Sequence, residues 1–195
     1  LPENGNLQNL AVQTSFDIAS LSLPMEHNKK KFPLDIPSLK GTVNLNQNKL
    51  IHKVNVKLLG GSVDVIGNLN IENKKSANTT IKLKTIDLSS LDQFIPSISG
   101  SISGDVKLKG HLPENGKVPN NLKVDTIFDL ENLRIPVKIK GKMVNAEISK
   151  IKGNVSLNRK KLNHNITAKL LGGNVSAKGN LLLKDSGAPL AVDTA

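Results

Sequence analysis

The sequence has no cysteine, no tryptophan and no tyrosine, and only four phenylalanines. Without cysteine there are no disulfides, no thiolate metal sites and no cysteine nucleophile, and the compartment stays open. With aromatics at 2% and an apolar fraction of 37%, the usual ring payload of a core is missing. What remains apolar is nearly all Leu, Ile and Val, which suits alkyl chains packing against one another or against lipid tails. No run approaches the roughly 18 apolar residues of a membrane-spanning helix. No segment reads as a signal peptide.

Acidic residues are outnumbered by basic ones, 16 to 27, for a net charge of +11 over 195 residues. An excess of this size suits an anionic partner such as phospholipid head groups, lipopolysaccharide or nucleic acid. It equally suits lysines that keep exposed strand faces soluble and edges unpaired. The lysines are scattered, as in Lys82, Lys84, Lys107, Lys109, Lys138 and Lys140, and no basic run is interleaved with rings. A single-strand nucleic-acid surface is therefore not expected.

What is present is a duplication. Leu1-Pro2-Glu3-Asn4-Gly5 recurs as Leu112-Pro113-Glu114-Asn115-Gly116, and Phe16-Asp17-Ile18 recurs as Phe128-Asp129-Leu130. The clearest block runs from Gly41 to Ile71 against Gly153 to Leu183 at a constant spacing, with GTVNLNQNKL answered by GNVSLNRKKL. The chain divides into a first β repeat, 1–111, and a second, truncated β repeat, 112–195. It opens at Leu1 without Met and stops inside a strand-like run from Leu190 to Ala195, so it reads as an excised segment.

Inside the block the apolar period is two, the period of a strand with one wet and one dry face. Val54, Val56 and Leu58 alternate with Lys53, Asn55 and Lys57. Val63, Val65, Leu69 and Ile71 share a face opposite Asp64, Asn68 and Asn70. The second copy offers Ile166, Ala168 and Leu170, then Val175, Ala177, Leu181 and Leu183. Gly60-Gly61 and Gly172-Gly173 predict two-residue hairpins, because the favoured turns need positive φ. Gly67 and Gly179 on the apolar face predict a bulge, a bend or close approach of another backbone.

Further strands are expected over Thr80–Leu88, Ile102–Leu108, Leu122–Leu130, Leu133–Ile139 and Val144–Ile148, with short ones at Val43–Leu45 and Val155–Leu157. Ser89 to Ile95 predicts one short helix, capped by its serines and stopped by Pro96. The fold class is all-β and antiparallel: a repeat-built curved sheet or open β-groove with one short helix. A closed sandwich satisfies the same pattern, although the ring-free face favours the open trough.

No catalytic or metal constellation stands out, and no cofactor is implied. His52 and His164 occupy one repeat position and read as polar strand positions. His27 and His111 lack partners at metal spacing. Asp87 and Asp92 flank the short helix as caps. There is no GxSxG elbow, and Gly100 and Gly104 lack the lysine and helix of a phosphate loop.

A strand ending in LLGG, then xVxVxGNLxI, IKLKTIDLSSL and SGSISGDVKLKG, resembles the AsmA-like superfamily of bacteria with two membranes. The matching stretches are Leu58 to Ile71, Ile81 to Leu91 and Ser99 to Gly110, with Leu170 to Leu183 in the second copy. The resemblance implies a non-enzymatic, repeating β-groove in the periplasm, anchored at the inner membrane by a segment outside this chain. It implies phospholipid or another anionic lipid as partner, and a part in outer-membrane biogenesis and maintenance; envelope protein partners are unknown. The groove-lining candidates are then the apolar series named above in both copies. The rival is a surface or adhesion protein of tandem β-sandwiches.

Overall fold

The computed structural model describes residues 11–27, 30–71, 76–92, 96–111, 121–170, 172–183 and 189–194. The Leu-Pro-Glu-Asn-Gly pair therefore lies outside the described residues, as do Gln93, Phe94 and Ile95. Period-two segments become strands throughout. They are β1 Ala11–Ile18, β2 Leu21–His27, β3 Lys30–Ile36, β4 Ser38–Asn46, β5 Lys49–Leu58, β6 Gly61–Asn70 and β7 Ser76–Asp87. Then come β8 Ser99–His111, β9 Lys123–Ile139, β10 Lys142–Asn158, β11 Lys161–Leu170, β12 Gly173–Leu183 and β13 Pro189–Thr194.

Eleven strands make one sheet in the order β1-β4-β5-β6-β7-β8-β9-β10-β11-β12-β13, while β2 and β3 pair as a separate hairpin. Every pairing is antiparallel. From β4 onward the chain meanders, which one-faced strands and short turns dictate. The sheet is curved and does not close into a barrel; its edges are β1 and β13. The repeats join edge to edge where β8 pairs with β9.

No second sheet covers either face among the described residues, so a closed sandwich is not what forms. The most buried apolar side chains, Ile36, Ala77, Ile86, Leu122 and Leu133, keep 5–9% exposure. No described side chain is completely buried.

Several local expectations shift. The hairpin turn is Leu59–Gly60, not Gly60–Gly61: Leu58 pairs with Gly61, and the positive φ values fall on Leu59 (47°) and Gly60 (71°). Gly61 is needed for space instead, since a Cβ there would lie 2.3 Å from the Lys84 carbonyl oxygen. In the second copy Leu170 pairs with Gly173, and Gly172 takes the positive φ. Gly67 does allow close backbone approach, with the Asn78 carbonyl oxygen 2.4 Å from where its Cβ would be.

Where a helix is expected from Ser89, the described residues form one 3₁₀ turn, Leu88–Leu91, capped by Asp87 rather than by serine. The Asp87 carboxylate accepts the Ser89 N–H at 2.9 Å, satisfying a donor that has no partner within the turn. Leu122–Leu130 and Leu133–Ile139 are one strand, β9, with Lys123 its first residue; Val144–Ile148 and Val155–Leu157 likewise merge into β10.

Candidate functional site

Residues paired across antiparallel strands point to the same side of the sheet, so register assigns each side chain to a face. Val54 pairs with Val65 and Val56 with Val63. Those rows extend through Leu39 of β4, Ile81 and Leu83 of β7 and Val106 of β8. They cross the repeat junction to Phe128 of β9, then Gly153 and Val155 of β10. They continue through Ile166 and Ala168 of β11 to Ala177 and Val175 of β12. One aliphatic face thus runs unbroken through both repeats.

The expected residues fall on it as follows. Val54, Val56, Leu58, Val63, Val65 and Leu69 share the face in the first copy. Ile166, Ala168, Leu170, Val175, Ala177 and Leu181 share it in the second. Two candidates do not sit in the regular ladder. Ile71 follows β6, its N–H bonded to the Asn48 carbonyl at 2.9 Å. Leu183 lies where the register between β12 and β13 shifts, and its N–H donates to the Lys160 carbonyl. The face is barest near the C-terminal edge, where Val175 keeps 55% exposure.

Crowding distinguishes this face from its reverse. Ile81, Ile102, Ile151 and Ile166 on it are half-buried. Ile66 and Ile127 on the reverse keep 47% and 62% exposure. The same residue type in the same single layer is better covered on one side, as expected when a sheet bends towards that side.

Two phenylalanines are part of the surface that sequence reasoning left unassigned. The Phe16 ring lies over Gly41, its Cζ 2.6 Å from where a glycine Cβ would be, and Phe128 lies over Gly153 at the same distance. Each ring fills the gap left by a missing side chain. Val12, Val43, Leu45, Val124, Leu130 and Leu157 also join the face. Their alternation was visible, but their partners were not.

Charge is segregated along the regular ladder. In β1, β4 to β8, β11, β12 and the 124–130 and 151–157 stretches of β9 and β10, every described Lys, Asp and Glu is on the reverse face. There Lys84 bonds Asp64 at 2.7 Å and Asn55 donates to the same carboxylate. Lys84, then Asn55, holds the Asp64 carboxyl below its ordinary value. Lys150 reaches both Glu131 and Asp129, and the Glu131 carboxylate holds its ammonium above the usual lysine range.

His52 and His164 are corrected by the register. They are not on the polar face but on the aliphatic one, opposite Gly67 and Gly179. His52 Nε2 lies 3.4 Å from Thr79 Oγ1. His111 is on the reverse face beside Ser76.

An open, amide-rich depression is lined by Asn154, Ser156, Asn163, His164, Asn165, Lys178, Gly179 and Asn180. No group of three metal-ligating His, Cys, Asp or Glu occurs among the described residues. No helix among them is long and apolar enough to cross a membrane. Searches of protein-family models, curated proteins and solved structures found no match to this chain.

Proposed function

We propose that this chain is a non-enzymatic segment of an AsmA-like envelope protein whose aliphatic sheet face carries phospholipid acyl chains between the membranes. The observation that supports the reading is the aliphatic face itself: continuous across two repeats, free of carboxylates and ammonium groups along the stretches assigned above, and uncovered by any second layer among the described residues. Each methylene taken from water onto such a surface gains about 0.8 kcal/mol. An acyl chain crossing an aqueous space needs that gain at every step, and a repeated sheet supplies it at any length. The lysine-rich reverse face keeps the polypeptide wet. The rival reading, tandem sandwiches of a surface protein, requires two sheets face to face in each repeat; here one sheet runs through both.

The test is site-specific photo-crosslinking in cells. A photoreactive residue at Val56 or Ile166 is expected to capture phospholipid. The same residue at Asn55 or Thr167, on the reverse face, is expected to capture little. Equal labelling on both faces defeats the proposal.

A further inference from the structure

Strands β9 and β10 run on past both of their neighbours. β8 pairs with β9 only as far as Arg134, and β11 pairs with β10 only from Lys150 onward. Residues 135–139 and 142–146 therefore pair with each other alone among the described residues. They project from the sheet as a two-stranded hairpin. Its turn is Lys140-Gly141, both at positive φ, and a Cβ at Gly141 would meet nothing within 4 Å. Such a hairpin is marginal in water by itself, so exposed alkyl groups clustered at its tip call for a reason outside the fold. Ile139, Met143 and Val144 keep 54%, 64% and 48% exposure. Lys138, Lys140 and Lys142 are interleaved with them. Cross-strand pairs set Lys138 against Met143 and Ile139 against Lys142, so each side of the tip carries an alkyl group beside an ammonium. No Asp or Glu occurs in 135–146, and Glu147 just beyond is bonded to Arg134. The first repeat has like chemistry at its own hairpin: Met25 keeps 43% exposure, and Lys29, Lys30 and Lys31 follow in a row.

We propose that the β9–β10 tip docks on the surface of an anionic phospholipid bilayer. Ile139, Met143 and Val144 enter the boundary between head groups and acyl chains, and Lys138, Lys140 and Lys142 take the phosphates. This goes beyond the lipid-carrying reading and needs no acyl chain on the aliphatic sheet face. The argument is charge complementarity joined to exposed alkyl surface. Lysines alone would suit any polyanion, and aliphatics alone would suit another protein's apolar surface. Interleaved on one turn, they match a bilayer boundary, where phosphate and alkyl carbon lie within one side chain's reach of each other. A lysine stem lies along the alkyl groups there while its ammonium stays at the phosphate level. A nucleic acid would leave the three aliphatics in water, and the tip has no ring on which a base could stack.

The test uses the full chain with vesicles of phosphatidylglycerol or of phosphatidylcholine. The chain has no cysteine, so Met143→Cys gives one attachment site for an environment-sensitive dye. Its emission is expected to shift to the blue with phosphatidylglycerol vesicles and to stay unchanged with phosphatidylcholine. The same dye at Thr167→Cys, on the reverse face of the sheet, is expected not to shift. In vesicle flotation, Lys138→Gln/Lys140→Gln/Lys142→Gln is expected to weaken binding at least about tenfold. The charge-matched Lys107→Gln/Lys109→Gln/Lys123→Gln, on the reverse face, is expected to weaken it less than about twofold, because those lysines stand farther from the docked surface than screening allows. Ile139→Ser/Val144→Ser is expected to bind at low salt and to release at a salt level that the unaltered chain withstands. Duplex DNA at matched phosphate is expected to leave the dye shift in place. An unshifted dye at Met143→Cys, an equal shift at Thr167→Cys, equal losses in the two lysine triples, or loss of the shift to DNA overturns the proposal. Docking by the tip with no lipid captured at Val56 keeps this inference and defeats the lipid-carrying reading, and the converse result defeats this inference alone.

Discussion

The two repeats build the same corner of the sheet differently. In the second repeat, β9 and β10 are continuous 17-residue strands. In the first, the equivalent chain is broken into β1 with β2, and β3 with β4, so that the distal hairpin leaves the main sheet. The pairing within the hairpins is alike: Leu21 with Ile36 and Leu23 with Leu34 match Leu133 with Ile148 and Ile135 with Ala146. Even the polar contact is matched, with Ser22 donating to Asp35 at 2.8 Å where Arg134 bonds Glu147 at 2.7 Å. The joint is what differs. Pro37 stands where the second repeat has Ser149, and proline has no N–H to offer and a fixed φ. Ser149 instead bonds the Lys169 carbonyl at 2.9 Å. Ala19 and Ser38 stand where Glu131 and Lys150 form an ion pair across the joint. Neighbours differ too, because β9 is held by β8 whereas β1 is an edge of the sheet. One apolar pattern thus gives either a long strand or a detachable hairpin, depending on a few polar positions.

Equivalent glycines give the largest test of this contrast. A Cβ at Gly61 would lie 2.3 Å from the Lys84 carbonyl oxygen and 2.4 Å from that of Thr85, where β7 bulges; at Gly173 the nearest neighbouring atom among the described residues, the Leu170 carbonyl oxygen, is 3.8 Å away. Gly61→Ala is expected to cost about 3 kcal/mol, the range of overpacking against a rigid neighbour, and Gly173→Ala close to nothing. Urea unfolding of the two variants checks this, and equal midpoints would break the asymmetry.

The phenylalanines come next. Phe128 has Gly104 on one side and Gly153 on the other, while Phe16 has Gly41 alone and an edge beside it. Phe128→Ala is expected to lose about 2–3 kcal/mol and Phe16→Ala about half of that, below the full cost of a completely buried ring.

Asp64 has no acidic counterpart, since Ser176 occupies its place in the second repeat. Its carboxyl is held below the ordinary value of 3.8, so its contribution is present above that value and lost as pH falls through the lowered one. Asp64→Asn is expected to destabilise by under about 1 kcal/mol at neutral pH, and the gap to the unaltered chain should close in acid. A gap that widens in acid reverses the sign.

The smallest effect is local to the joint. Ser149→Pro is expected to speed amide exchange around Asn132 and Leu133 towards the rate at Ser20 and Leu21. Pro37→Ser is expected to slow exchange in the first repeat. Unchanged exchange in both variants would assign the break to the sheet edge alone.

Much of the fold was legible because a period of two with Gly-bearing turns leaves antiparallel strands as the economical outcome. The face residues Val54, Val56, Val63 and Val65 followed directly from that alternation. Other features were not legible. Leu59 in a left-handed turn looks worse than Gly61 by local preference, yet Leu58 pairs with Gly61 and Leu170 with Gly173 in both repeats, so strand register places the turn. The Asp87 cap displaced the serines for a similar reason, since the extended end of β7 already aims its carboxylate at the next turn.

His52 and His164 show where local reading ended. They lie in phase with Leu50, Val54 and Leu162, but a polar side chain biases any reading towards the wet face. Alternation within one strand states which residues travel together. It does not state what lies beside them, and cross-strand register is set by turns and bulges many residues away. The sequence by itself determined a duplicated, one-faced antiparallel β chain, because side-chain period is a local property of the backbone. The tertiary structure alone decided that both repeats share a single uncovered aliphatic surface, that the first repeat's hairpin leaves it, and that His52 and His164 stand on it. Those outcomes depend on which strands become neighbours.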